Sequence, residues 1–223
     1  MKIQYYLFAA LLSLCACTKN DLDEVVLDGK GCIKRVTNAP GPGDHEIRKS
    51  EQATAVRLFQ QNALSLSDLR FTQFIEEDLV VEGITNHHVH VKAARFANGL
   101  PFLLNRAIYN FRNGKYVHRS DNDFIAAADT KPALTLAQVR ALFFQEFVDY
   151  NKQSTSYKAE DFKDKCLTAE LGYYTLRGNE TPIRTILAWH VKPKGEEYPE
   201  AVINDSDGTT IYFFDGSWTS MPR

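Results

Sequence analysis

The spacing of apolar residues divides the chain into two successive runs of the same kind, each a helix followed by strands. From Ser50 onward, Ala55, Leu58, Phe59 and Ala63 fall at i, i+3, i+4 and i+8, one stripe of an amphipathic helix, with Ser50 placed to cap its start. Residues 71–81 are then rich in aromatic and β-branched side chains, and residues 88–93 alternate strictly. Residues 102–111 alternate in their second half, with Ala107, Tyr109 and Phe111 on one face and Arg106, Ile108 and Asn110 on the other. Asn98-Gly99 and Asn113-Gly114 are hairpin turn dipeptides, so the pattern predicts a helix followed by an antiparallel meander.

The second run opens on clear punctuation. Thr135-Leu136-Ala137-Gln138 fits a capping box, Leu134 and Val139 a hydrophobic staple, and Val139, Leu142, Phe143 and Phe147 an apolar stripe, which predicts a helix to about Tyr150. Residues 167–176, 183–191, 201–204 and 210–214 read as strands, with Leu187, Trp189 and Val191 on one face and a turn at Asp205-Ser206-Asp207-Gly208. Residues 107–115 and 201–209 align at a constant offset as strands entering a polar-glycine turn, which suggests two copies of a small α+β unit. Upstream, residues 33–36 form a short strand pattern, and Asn38-Ala39-Pro40-Gly41-Pro42-Gly43-Asp44 is a cluster of breakers.

The start of the chain is different in kind. Lys2 precedes an apolar run over residues 3–14, too short to cross a hydrocarbon core, which takes about 20 helical residues. The run ends in Leu14-Cys15-Ala16-Cys17, which resembles the lipobox of bacterial lipoproteins. That resemblance implies a signal peptide over residues 1–16 and acylation of Cys17, which follows the small Ala16, whereas Cys15 follows the bulky Leu14. A single acyl chain anchors only marginally, and the triacylated cysteine of that family meets the need for several. The implied address is the bacterial cell envelope, with the chain held to the outer membrane by lipid. The polar, acidic segment after Cys17 suits either a surface-export signal or a plain solvated tether, so both leaflets stay open.

Composition narrows the class further. A net charge of −2 and a pI near 6.3 give no electrostatic footprint for nucleic acid. With Cys17 acylated, Cys32 and Cys166 remain; in an oxidising compartment they are candidates for a disulfide tying the N-terminal segment to the second half, and isolated buried thiols are the alternative.

Phe96-Ala97-Asn98-Gly99-Leu100-Pro101-Phe102, followed by Tyr109-Asn110-Phe111-Arg112-Asn113-Gly114-Lys115, resembles the "nGlPv … dGk" pattern of the PepSY and fungalysin/thermolysin propeptide domains. Residues 134–139 resemble the next helix of that arrangement, and residues 187–191 and 201–208 its closing strands. The resemblance implies an α+β fold of two tandem cystatin-like helix-on-antiparallel-sheet units. Their expected bounds are residues 50–130 and 131–223, after a tether and N-terminal segment at residues 17–49. It also implies a family whose members inhibit or help fold a peptidase.

Chemical constellations are sparse. His45-Glu46-Ile47-Arg48-Lys49 begins like a zinc-protease helix but carries Lys49 where the second histidine belongs. His87, His88 and His90 are the better metal candidates, since His88 and His90 share a strand face, with His118 and His190 as distant third ligands; the simpler expectation is a wet sheet face. Glu160-Asp161 reads as part of a solvated connection, Trp189 as core, and Trp218, near Tyr212, Phe213 and Phe214, as an exposed aromatic. No nucleophile elbow or phosphate-binding loop is visible. The expectation is therefore a non-enzymatic, lipid-anchored binding protein with no cofactor and no metal, whose partners are the membrane and a protein such as a peptidase. A metal-binding protein or metal-dependent hydrolase built on residues 87–90, and a surface adhesin or glycan-binding component, are the alternatives.

Overall fold

The structure, a computed structural model, describes residues 24–26, 31–37, 39, 44, 47–120, 130–151, 158–176 and 184–216. The signal-peptide and acylation assignments at residues 1–17, His45 and Trp218 lie outside the described residues. The chain is α+β: strands β1 (Glu24–Val26) and β2 (Cys32–Val36) precede helix α1 (Lys49–Gln61) and strands β3 (Leu69–Val81), β4 (Ile84–Ala97), β5 (Leu100–Arg112) and β6 (Lys115–Ser120). Helix α2 (Leu136–Asn151) and strands β7 (Leu167–Leu176), β8 (Arg184–Pro193), β9 (Glu200–Asn204) and β10 (Thr210–Phe214) follow. Each helix thus precedes a four-stranded antiparallel meander, β3 to β6 and β7 to β10. Among the described residues, no helix is long and apolar enough to cross a membrane.

Helix α1 buries Ala55, Leu58 and Phe59 against Val89, Val91, Ala93, Ala107, Tyr109 and Phe111. It begins two residues earlier than the Ser50 cap expected from sequence would place it. Arg48 is the capping residue, its backbone N–H and guanidinium Nε both donating to Glu51 at 2.8 Å. The carboxylate there also suits the positive end of the helix dipole. Ala63 falls outside the helix, because Asn62 ends it: its side-chain amide donates to the Leu58 carbonyl and across to that of Gly114 (2.8 and 3.0 Å), and Ala63 turns to φ 52°.

Helix α2 starts where its capping box predicts. The Thr135 N–H donates to the Gln138 Oε1 at 2.9 Å, and the Gln138 N–H to the Thr135 Oγ1 at 3.3 Å. Val139, Phe143 and Phe147 are fully buried against Ile33, Leu167, Ala169, Leu171, Trp189, Val191, Ala201 and Ile203.

The two meanders join edge to edge. β5 lies parallel to β7 at Phe102 and Tyr173, making one ten-stranded sheet. Phe102 and Tyr173 pack ring to ring at 5.4 Å, so they share a face, and Tyr173 alternates with Leu171 and Ala169 beneath α2. A bulge at Leu104, φ 52°, then brings Ala107, Tyr109 and Phe111 onto that same side beneath α1. Both helices therefore lie on one face. The joint needs a glycine: a Cβ at Gly172 would lie 2.5 Å from the Pro101 carbonyl oxygen and 2.8 Å from the Leu103 side chain. Beyond it, Leu103, Ala188 and Val202 form a small apolar cluster on the face away from the helices.

Residues 33–36, which sequence alone assigns to an N-terminal segment, belong to the second half's sheet: β2 runs parallel to β7 from Ile33 beside Leu167 to Val36 beside Glu170. A disulfide joins Cys32 to Cys166 there, Cα–Cα 4.2 Å and 134 residues apart in sequence. Buried Arg140 of α2 supports the junction by donating to the carbonyls of Cys32 and Lys165 at 3.1 and 3.2 Å and to that of Lys163, with its guanidinium 4.6 Å from the Phe144 ring centre.

Candidate functional site

Burial stops partway along β3. Phe71 and Phe74 pack on the α1 core, but from Ile75 the strand leaves it, and the β3–β4 hairpin projects with Leu79, Val80, Val81 and Ile84 exposed at 43, 67, 59 and 65%. The sequence explains the departure. Glu76, Glu77 and Asp78 are consecutive, so acidic groups fall on both faces of the strand and neither face is buried. The hairpin closes on Glu82-Gly83, both at positive φ (52° and 76°), as a tight two-residue turn requires. Glutamate is not a usual residue at that position, and the turn carries no recognisable sequence signal.

β3 ends the sheet, and among the described residues no strand pairs with its outer edge. Val81 opposite Ile84 is the closing pair of the hairpin, which exchanges both of its hydrogen bonds. The backbone groups of Val81, Leu79 and Glu77 consequently point into the hairpin, and those of Val80, Asp78 and Glu76 point outward. Side chains alternate too. Glu76, opposite the buried Val89, lies on the helix side with Asp78 and Val80, whereas Ile75, Glu77, Leu79 and Val81 lie on the other.

The histidines follow this alternation instead of converging on a metal. His88 and His90 stack with ring centres 6.3 Å apart on the face away from α1, while Val89 and Val91 are buried. His90 Nδ1 meets the Asn110 Oδ1 at 2.5 Å and its Nε2 the Glu77 Oε1 at 3.3 Å, and His118 Nε2 lies 3.1 Å from the Asn110 amide nitrogen. His87, on the opposite face, approaches Asp78 at 2.8 Å and Glu76 at 3.8 Å. His190 belongs to the second meander. Among the described residues, no group of three or more ligating side chains is arranged to hold a metal ion.

A second feature, unannounced by sequence, is a polar network on the face away from the helices. Asp44 accepts from the Arg106 guanidinium at 2.8 and 2.9 Å and stands 3.5 Å from the Lys92 ammonium, with its side chain 4% exposed. Buried Glu170 accepts the Ala39 N–H at 2.8 Å; burial pushes its pKa up, against the opposing pull of that hydrogen bond and of His190, Arg70 and Arg106. In the next strands His190 Nε2 meets Glu200 at 2.7 Å, both side chains 3% exposed, and the Tyr212 hydroxyl donates to Glu200 at 3.4 Å. Burial first, then the Glu200 charge, pushes the Tyr212 pKa well up. A histidine–carboxylate pair enclosed this far presents no open face to a substrate. The network ties the segment after β2 to both meanders. Beside it, a cleft of about 550 Å³ is lined by Val36, Thr37, Ala39, Thr168, Lys192 and Glu196 among others.

The aromatic candidates also resolve. Trp189 is core, its Nε1–H donating to buried Asp205 at 2.7 Å. Asp205, expected in an open turn, also accepts the N–H groups of Ala133 and Leu134 at 2.7 and 3.2 Å, fixing the entry to α2. Phe213 packs on Phe147 and Tyr150 and Phe214 on Tyr198, leaving both rings half-buried.

No protein-family model matches the chain, and no curated protein matches it. Among solved structures it is similar to the Bacillus megaterium YpeB C-terminal domain, at 8% identity and a TM-score of 0.38, over 82% of this chain and 70% of that one.

Proposed function

We propose that the chain is a lipid-anchored, non-enzymatic binding protein of the bacterial cell envelope that takes a protein partner by strand addition at the outer edge of β3. The observation that carries this reading is the projecting end of that strand, which combines outward backbone groups with exposed Leu79, Val80 and Val81. Main-chain hydrogen bonds along such an edge supply affinity and side-chain contacts supply specificity, without catalytic residues. Edge strands of this kind invite pairing unless charge, proline or cover blocks them, and among the described residues β3 has charge but neither proline nor a covering strand. The propeptide-like motifs at residues 96–102 and 109–115 agree with two cystatin-like units and with a peptidase as the class of partner.

Val80→Pro tests this reading. It removes an outward N–H while leaving the ladder with β4 intact, a position at which edge strands tolerate proline. The full-length variant is expected to keep its melting temperature and to lose the envelope protein that the wild type retains on affinity capture. Retention of the same protein by the variant contradicts strand addition at this edge. The anchor has its own test: Cys17→Ser is expected to abolish acylation and release the chain from the membrane fraction, and Cys15→Ser to leave both unchanged. The opposite outcome reverses the assignment of the acylated cysteine.

A further inference from the structure

We infer that the occupant of the β3 edge is an extended protein segment that alternates cationic and apolar residues. The inference rests on the strand-addition reading and adds the chemistry of the partner. A strand laid against β3 presents its side chains alternately to the two faces of the sheet, and each face of β3 has a distinct character there. On the helix side an incoming strand meets Glu76 and Asp78, whose side chains are 49 and 65% exposed, and then Val80. On the other side it meets Ile75, Leu79 and Val81, all exposed, with Glu77 between them. Directly opposed side chains in a sheet contribute favourably when charges are opposite or both groups are apolar, and unfavourably when like charges meet. One face therefore favours lysine or arginine opposite Glu76 and Asp78, and the other favours valine, isoleucine or leucine opposite Ile75, Leu79 and Val81, with Glu77, which meets His90 at 3.3 Å, the exception on that face.

The wider hairpin reinforces the selection. From Phe74 to Val91 it carries Glu76, Glu77, Asp78 and Glu82 and neither lysine nor arginine. His87 approaches Asp78 and Glu76 from β4, and Arg48, whose charge is felt by Glu76, is held by Glu51. An acidic edge also repels a second copy of itself, which disfavours pairing between two copies of the chain at this site. The charge steers a cationic segment to the edge, and the apolar face provides burial once it is seated.

Three capped synthetic peptides spanning the length of residues 75–81, alternating lysine, threonine or glutamate with valine, test the inference against the full-length protein. The lysine–valine peptide is expected to bind at least roughly tenfold more tightly than the threonine–valine peptide, about 1.4 kcal/mol. That advantage should vanish near 1 M salt, where the screening length falls to about 3 Å. The double variant Glu76→Lys/Asp78→Lys is expected to reverse the preference towards the glutamate–valine peptide, a gain that a misfolded chain does not show. Equal binding of all three peptides, lost in Val80→Pro, overturns the charge selection and leaves strand addition standing. Binding of no peptide, or binding that Val80→Pro leaves unchanged, overturns both.

Discussion

Replacing Cys32 and Cys166 together by serine is expected to lower the free energy of unfolding by about 5 kcal/mol. The bridge closes a loop of 134 residues, and the loss of chain entropy that such a cross-link imposes on the unfolded state grows with the logarithm of loop length. The whole first meander and both helices lie inside the loop, so the unfolded chain is constrained over most of its length. The native side of the balance concerns β2, a strand of five residues held to β7 by the cross-link, by parallel pairing and by the carbonyls of Cys32, Lys163 and Lys165 converging on Arg140. Loss of the cross-link should therefore expose β2 to hydrogen exchange before the rest of the sheet. Denaturant unfolding of the wild type with and without reductant reads the same quantity. An unfolding midpoint insensitive to reductant is incompatible with a bridge that stabilises the fold.

The second large effect is expected at the centres of the two cores. Phe59 packs against Phe71, Tyr109 and Phe111 with ring centres 5.0, 4.6 and 5.8 Å away, and Phe143 against Phe144, Phe147 and Phe213 at 5.4, 6.0 and 6.2 Å. Both are fully buried, and truncation of either to alanine should cost about 3–5 kcal/mol. Domain stabilities are about 5–15 kcal/mol, so either loss is a large share of the total. The location of the damage is the sharper test. The meanders share one register pair, Phe102 with Tyr173, together with the cluster around Leu103, Ala188 and Val202. Phe59→Ala is thus expected to raise hydrogen exchange chiefly within residues 49–112, and Phe143→Ala chiefly within residues 136–214. Loss of protection throughout the chain from both variants would show that the ten-stranded sheet unfolds as one unit.

Local signals in the sequence account for most of the secondary structure and for little of its assembly. The capping box at Thr135 and Gln138 and the turns at Asn98-Gly99 and Asn113-Gly114 are legible because their chemistry is contained in a few neighbouring residues. The pairing of β2 with β7 is legible only through the cysteine pair Cys32 and Cys166, which brings the two segments together; the register and parallel sense of strands 134 residues apart leave no trace in either strand alone. Polar residues on strands misled in the other direction. Glu170, His190 and Glu200 carry no local sign of burial, yet each is buried because its partner comes from another strand or from the segment after β2. The candidate edge was half visible. Residues 71–81 announced a strand, but the departure of its second half from the core and its place at the end of the sheet follow only from the structure.

Residue-resolved hydrogen exchange along β3, measured on the full-length chain alone and with the protein partner that the wild type retains and Val80→Pro loses, tests strand addition most directly. A strand seated on this edge takes hydrogen bonds from alternate residues only. The expected result is new protection of the Glu76, Asp78 and Val80 amides, with those of Glu77, Leu79 and Val81, already committed to β4, changing little. Protection without that period of two, or confined to another part of the sheet, contradicts the account.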